Sequence, residues 1–331
     1  MTEKPMISVI IKTFNEQAGI ANTIVSIRTQ LDALSLPYEI LVADSLSTDA
    51  TQEISLQHGA TVIALRHADE RCCGVGHQLG YLHARGEFLL LMDGDMQLEA
   101  GFIRLALDFL QTNPEYAGVA GTVEMDEAVS YEFQSRKQRL ATIYPIGDCD
   151  HLGGGGMYRK AAVDDIGYLT NRNLHSYEEA ELGMRLTLTG YKLHRLNVPY
   201  FYHHSYDLST LALLTHRWRS GYLFGSGELL RGAFGKSHFK QALFTVKNAL
   251  LFGGYLTLIA LSLLSLNPAL VGFALIPLLG FFILKTVRNR SVKAGAYSIL
   301  NLSMHSVGFF VGLFRPVKDP MAAPEHNVRE K

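Results

Sequence analysis

Two aspartates separated by one glycine, Asp93-Gly94-Asp95, follow directly on the apolar run Phe88-Leu89-Leu90-Leu91-Met92. A strand that reads as buried on both faces has little reason to end in two unpaired charges, because an unpartnered buried carboxylate is strongly disfavoured. On the loop after such a strand, two carboxylates can share one hard divalent cation through oxygen, with a diphosphate supplying further oxygens. Asp-Gly is also a common turn dipeptide, so the pair takes its meaning from the strand it closes. Two other apolar runs end in the same way. Lys12-Thr13-Phe14-Asn15-Glu16 follows Ile7–Ile11, and Asp44-Ser45-Leu46-Ser47-Thr48-Asp49 follows Ile40–Ala43. A further acidic pair, Glu178-Glu179, lies in Tyr177–Arg185, where acids also suit the first turn of a helix.

The elements that must position these groups alternate. Ile7–Ile11 is β-branched and continuous, as a strand buried on both faces should be. Residues 18–34 place Ile20, Ile24, Ile27, Leu31 and Leu34 at helical spacing. Strands are predicted at 40–43, 61–65 and 87–92, and helices at 48–58 and 76–84. This βαβαβαβ order predicts a parallel, doubly wound sheet. Such sheets bind ligands at the carboxyl ends of their strands, so the chemistry belongs just after Ile11, Ala43 and Met92.

Of the 331 residues, 48% are hydrophobic and 18% charged, a composition that excludes disorder. Three cysteines, Cys72, Cys73 and Cys149, exclude a disulfide framework and suit a reducing compartment. The opening Met-Thr-Glu-Lys-Pro lacks the basic-then-apolar order of a signal peptide. The net charge of −1 hides a division: residues 1–228 hold 18 Lys+Arg against 28 Asp+Glu, whereas residues 229–318 hold 10 Lys+Arg and no acid. An acidic front joined to a basic, acid-free and very apolar back is the pattern of a soluble domain fused to a membrane segment. Uncharged stretches at 248–266, 269–284 and 294–314 are candidate spans, the third diluted by Asn301, Ser303, His305 and Ser306. The positive-inside rule puts the front and the loop with Lys285, Arg288, Arg290 and Lys293 in the cytosol, and the Asn267-Pro268 turn outside. Arg315 and Lys318 conflict with a third span, which would carry them outside; a re-entrant or interfacial third segment would keep them in.

Residues 7–16, 39–51 and 84–95 resemble the donor-binding half of a family 2 glycosyltransferase with the GT-A fold. The first-strand motif is matched by Thr13-Phe14-Asn15-Glu16, and the second by Asp44–Thr51, where Ser45 replaces an acid and Leu46 a glycine. The resemblance, covering about residues 5–230, implies an α/β fold of the GT-A kind, Rossmann-like and mostly parallel, with C-terminal transmembrane helices. It implies Thr13, Asn15, Glu16, Asp44, Gly76 and Asp93 as donor-binding residues. Asp93 and Asp95 become ligands of Mg2+ or Mn2+, and a downstream histidine, His203 or His204, can complete such a site. Tyr177–Arg185 is similar to the family's Glu-Asp-x-Asp-Leu-x-x-Arg segment, which makes Glu179 the catalytic base by position, with Glu178 as the fallback. The glycine run Gly153–Gly156 brings backbone close to a donor sugar or acceptor, or is a flexible structural loop; no Gly-Lys-Ser/Thr follows, so it is not a phosphate-binding P-loop. Leu214–Arg219 is similar to the Gln-x-x-Arg-Trp segment of processive polysaccharide synthases, with Leu214 in place of the Gln. Arg217, Trp218 and Arg219, with Gly154 and Gly155, are the acceptor-side or membrane-proximal candidates.

The sequence therefore predicts a glycosyltransferase domain at 1–235, closing in an interfacial amphipathic region at 209–235, a membrane domain at 236–318 and a tail at 319–331. The predicted protein is a multi-pass inner-membrane enzyme with a cytosolic catalytic domain. Its partners would be a nucleotide-sugar, UDP-linked by the resemblance, a membrane-held, polyprenyl-linked acceptor and the bilayer, with no nucleic acid polymer. A processive synthase and a non-catalytic membrane scaffold are the alternatives.

Overall fold

Residues 4–125, 137, 139–203 and 208–330 are described by a computed structural model. The front of the chain follows its apolar pattern closely. Strand β1 (Ile7–Thr13) leads into helix α1 (Ile20–Leu34), then β2 (Tyr38–Asp44), α2 (Thr51–Gln57), β3 (Thr61–Leu65), α3 (Cys73–Tyr81) and β4 (Phe88–Asp93). Helix α1 buries Ile20, Ile24, Ile27 and Leu31 completely, each worth about 1.5–3 kcal/mol of transfer free energy. It stops at Ser35, whose left-handed φ of 53° breaks the helix two residues before Pro37.

Strand β1 pairs in parallel with β2 on one side and β4 on the other. The register sets Thr13 beside Asp44 and Lys12 beside Asp93, so the polar ends of three strands lie side by side. Beyond β4 come β5 (Met96–Leu98), α4 (Phe102–Thr112), β6 (Tyr116–Met125), β7 (Gly147–Asp148), β8 (Gly156–Arg159), α5 (Lys160–Asp165), α6 (Glu178–Leu188) and β9 (Lys192–His203). Here the sheet turns mixed: β8 runs antiparallel to both β4 and β6. The predicted parallel sheet thus holds for β1 to β4, and the second half interleaves directions. The strand order is β10-β3-β2-β1-β4-β8-β6-β9-β5, with β7 on β9. The outermost strand, β10 (His326–Arg329), comes from the predicted tail and pairs antiparallel with β3.

The chain divides into two compact units, one of described residues up to 203 together with 317–330, the other of 208–316. The second unit contains α7 (Thr210–Arg219), α8 (Gly225–Ala233), α9 (Phe239–Leu264), α10 (Pro268–Asn289) and α11 (Val292–Leu313). The last three are long and apolar enough to cross a membrane. Helix α10 starts sharply, with the Asn267 side chain accepting from the Ala269 and Leu270 N–H groups and Pro268 in its first turn. It buries no residue within the unit and exposes Leu270, Phe273, Ile276, Leu279 and Ile283.

Candidate active site

The loop after β2 is held by Asp44. This side chain is fully buried, and its oxygens accept from Thr13 Oγ1 at 3.0 Å, Ser47 N at 2.9 Å, Ser47 Oγ at 2.5 Å and Gln52 Nε2 at 2.6 Å. A carboxylate so engaged organises its loop, and Thr13, itself buried, is spent on the same task. Asn15 joins the strand ends: its N–H donates to Ser47 Oγ and its Oδ1 accepts from Thr48 N, both at 2.8 Å. Leu46 occupies the position where the family pattern has glycine, and it takes the left-handed φ of 61° that glycine adopts without strain. Arg71 pins this backbone, donating to the Ser45 and Leu46 carbonyls at 2.7 and 2.9 Å while its guanidinium lies 4.4 Å from the Phe14 ring centre. Phe14 is 43% exposed, an aromatic face at the mouth of β1.

The end of β4 is differently built. Asp93 Oδ1 lies 3.3 Å from Lys12 Nζ, and the same ammonium lies 3.4 Å from Glu178 Oε1. Burial works against the Lys12 charge, but Asp93 and Glu178 outweigh it and hold the ammonium protonated well above its usual range. His77 lies behind Asp93, fully buried, with Nε2 at 3.1 Å from the Met92 carbonyl. Burial and then Lys12 lower its pKa to about 4, so the ring is neutral and carries its proton on Nε2. Gly94 lets the turn seat against β1, since a Cβ there would meet Thr13 Cγ2 at 2.8 Å. Glu16 is pushed up to about 8, first by burial and then by Asp95 and Asp93. Among the described residues no three His, Cys, Asp or Glu side chains converge to form a metal site. Two carboxylates plus diphosphate oxygens nonetheless fit Mg2+ or Mn2+, hard cations that keep several non-protein ligands.

Helix α6 brings the second acidic pair to the same place. It begins after Tyr177, whose φ of 68° is strained for a bulky side chain, and that bend puts Glu178 and Glu179 in its first turn. Glu178 is buried against Lys12. Glu179 Oε1 accepts from the Gly155 N–H at 2.6 Å. Gly155 has φ 88°, and a Cβ there would lie 2.2 Å from the Leu91 carbonyl oxygen, so only glycine brings this N–H to Glu179. Burial and then Glu178 push Glu179 up to about 7, while Lys12 and the Gly155 N–H pull the other way. The glycine run is therefore a cradle for Glu179, with Gly154 beside the Phe201 ring.

Other predicted residues stand elsewhere. Gly76 lies under the Lys12 stem, where a Cβ would come within 2.7 Å of Lys12 Cβ; its observed task is to let α3 approach β1. Strand register sets His203 opposite Met96, one residue from Asp95. His204 lies outside the described residues. Arg217, Trp218 and Arg219 belong to the helical unit. Arg217 is buried with its guanidinium 4.6 Å from the Tyr222 ring centre. Trp218 and Arg219 line a pocket of about 380 Å³ with Thr215, Met304 and Val307. Lys12, His77 and Arg71 escaped the sequence reading. Lys12 had a signal: it is the one charged residue within the seven-residue strand β1.

Residues 8–167 match the family model Glycosyl transferase family 2. The chain carries a family 2 glycosyltransferase domain. The match takes in Lys12, Asp44, Asp93, Asp95 and Gly155, and Glu178 and Glu179 follow it in the chain. Within the chain, 91 residues are 35% identical to the low-salt glycan biosynthesis hexosyltransferase Agl6 of Haloferax volcanii, over 28% of this chain and 21% of that protein. A stretch of 116 residues is 28% identical to glucomannan 4-beta-mannosyltransferase 2 of Arabidopsis thaliana, over 32% of this chain and 21% of that protein. The chain thus spans about a fifth of the length of either relative. The crystal structure of S. aureus TarS 1-349 in complex with UDP-GlcNAc superposes with a TM-score of 0.51 at 18% identity, covering 73% of this chain and 71% of that one. The family 2 domain therefore has the GT-A fold, a mixed α/β sheet, followed in this chain by three apolar helices.

Proposed function

We propose that this chain is a membrane-attached, inverting glycosyltransferase, moving a sugar from a UDP-linked donor to a polyprenyl-linked acceptor held at the membrane, in exopolysaccharide or cell-envelope glycan assembly. One observation carries the reading: the Lys12 ammonium lies 3.3 Å from Asp93 and 3.4 Å from Glu178, gathering the strand-end acid and the α6 acids into one cluster. Asp93 and Asp95 would hold Mg2+ or Mn2+, which when bound to the donor diphosphate neutralises charge on the departing nucleotide. Glu179, poised near 7, takes the proton of the acceptor hydroxyl as that oxygen attacks the anomeric carbon. The bond from that carbon to the diphosphate breaks, its electron pair leaves with the nucleotide, and attack from the opposite face inverts the centre. Gly155 aims Glu179 through its N–H, and Lys12 keeps Glu178 and Asp93 from repelling one another. Phe14 and Arg71 offer a flat, cationic surface to a nucleobase.

The relatives, a hexosyltransferase and a mannosyltransferase by name, support sugar transfer, and the UDP-GlcNAc bound to TarS supports a UDP-sugar donor. The apolar helices support a membrane-held acceptor, and Lys285, Arg288, Arg290 and Lys293 around the α10–α11 junction support a cytosolic catalytic face. The test is a release assay. Full-length protein in detergent receives a panel of UDP-sugars, Mg2+ or Mn2+ and a bacterial lipid extract, and free UDP is measured with and without EDTA. Turnover of one donor, abolished by EDTA and by Glu179→Gln, is expected. Folded protein that neither binds nor turns over any donor overturns the proposal.

A further inference from the structure

The helical unit holds three helices of spanning length, yet the chain on either side of it returns to one sheet. Strand β10 pairs with β3 from His326↔Leu65 to Arg329↔Val62, and the Arg66 N–H donates to the Glu325 carbonyl at 2.9 Å. Contacts to the first unit begin earlier still. Lys318 N donates to Asn173 Oδ1 at 2.7 Å, Asn173 Nδ2 donates to the Lys318 carbonyl at 2.8 Å, and Lys318 Nζ lies 2.8 Å from Glu70 Oε1. Helix α11 ends at Leu313, and five chain steps lead from there to Lys318. Fully extended they reach about 18 Å, well short of the roughly 30 Å hydrocarbon core. The end of α11 therefore lies on the same side of a bilayer as the sheet. So does the start of α9, because the described helices between the sheet and α9, α7 and α8, have only 10 and 9 residues and cannot cross. A chain that leaves and re-enters on one side crosses an even number of times.

We infer that the chain crosses the bilayer twice, outward in α9 and back in α10, and that α11 lies in the lipid interface on the side of the catalytic unit. This rests on the membrane attachment proposed above. Contacts inside the helical unit agree. Helices α9 and α10 form an antiparallel hairpin, with the Tyr255 hydroxyl donating to the Ala274 carbonyl at 2.6 Å and accepting from Leu278 N at 3.1 Å. Helix α11 packs on this hairpin: a Cβ on Gly295 would strike Thr286 Oγ1 near the open end, and one on Gly253, at mid-length of α9, would strike the Phe310 ring. Its small-residue face packs backbone to backbone on the segment that precedes α9. A Cβ on Gly308 would come within 2.4 Å of the Leu223 carbonyl, and one on Gly312 within 2.0 Å of the Phe224 carbonyl. Arg315 then reaches the buried Glu228 of α8 at 3.5 Å. The C-terminal part of α11 exposes Val307, Phe310 and Val311, and Phe314 just past its end continues an apolar stripe at i, i+3, i+4, i+7. That is the face an interfacial helix turns to the acyl boundary. It is also the least apolar of the three helices and the most buried within its unit. Pairing α9 with α10 as the spans keeps the basic α10–α11 junction, with Lys285, Arg288, Arg290 and Lys293, on the catalytic unit's side of the bilayer, as the charge rule requires; either other pairing expels it.

The test is labelling of the full-length chain with a membrane-impermeant maleimide in right-side-out and inverted membrane vesicles. Single cysteines are placed at exposed sites, Glu115→Cys in the catalytic unit, Ser265→Cys, Asn289→Cys and Ala323→Cys, with Met321→Cys as a second tail site; the unsubstituted chain gives the background of its own three cysteines. Positions 115, 289, 321 and 323 are expected to label from one side and position 265 only from the other. A tail labelled from the side of Ser265→Cys, an Asn289→Cys labelled opposite Glu115→Cys, or a Ser265→Cys labelled with the rest would each overturn the inference. Protein released from membranes by carbonate would instead overturn the membrane attachment itself.

Discussion

Asp44 and Asp93 each close a buried parallel strand on either side of β1, and their surroundings differ in kind. Asp44 has no exposed surface, and four donors from its own neighbourhood fill its oxygens. Asp93 keeps 31% of its side chain exposed and shares one lysine with an acid 85 positions further along the chain. The first is scaffold: its negative charge is satisfied inside the loop it shapes. The second stands in a cluster where burial and then neighbouring acids raise the pKa values of Glu16 and Glu179. Two aspartates that a pattern treats alike are therefore separated by where their hydrogen bonds come from.

Substitutions sharpen this contrast. The largest effect is expected for Asp95→Asn or Asp93→Asn, about a thousandfold or more in UDP release, with the melting temperature little changed; metal-assisted charge neutralisation is worth several kcal/mol. Glu179→Gln should lower transfer by about 10²–10⁴ while leaving donor binding intact, as loss of a general base does. The wild-type rate should rise with pH up to about 7 and level off, because only the ionised carboxylate accepts the proton and protonation below about 7 removes it. A pH profile flat from 5 to 9 would take Glu179 out of the chemistry. Asp44→Ala should act mainly on the fold, losing about 3 kcal/mol in urea denaturation as Thr13, Ser47 and Gln52 lose their shared acceptor. Equal stability of Asp44→Ala and wild type would erase the scaffold half of the contrast. The smallest effect is expected at Leu46→Gly, within about 1 kcal/mol and twofold in rate, since relief of the left-handed φ offsets lost packing and a more flexible unfolded chain.

Much of this architecture is legible in the residues. Apolar runs mark β1 to β4, and the ligand rule for parallel sheets points to the residues after Ile11, Ala43 and Met92. What a linear reading misses is contact between distant segments. That Gly155 serves Glu179 depends on β8 lying antiparallel to β4, which no local spacing encodes. Lys12 reads as a strand-end charge until register sets it beside Asp93. Strand β10 is four residues of modest β-propensity in a polar tail, and only pairing with β3 makes it a strand. Leu46 stands where the family pattern has glycine, and it takes the left-handed backbone that glycine adopts freely.

The account's central claim is that the acids closing β4 bind a divalent ion together with a nucleoside diphosphate. Electron paramagnetic resonance of Mn2+ titrated into the full-length protein, with and without UDP, measures this directly. The account predicts Mn2+ binding that tightens at least tenfold with UDP and is lost in both Asp93→Asn and Asp95→Asn. Undiminished UDP-dependent Mn2+ binding in folded Asp93→Asn and Asp95→Asn proteins would contradict it.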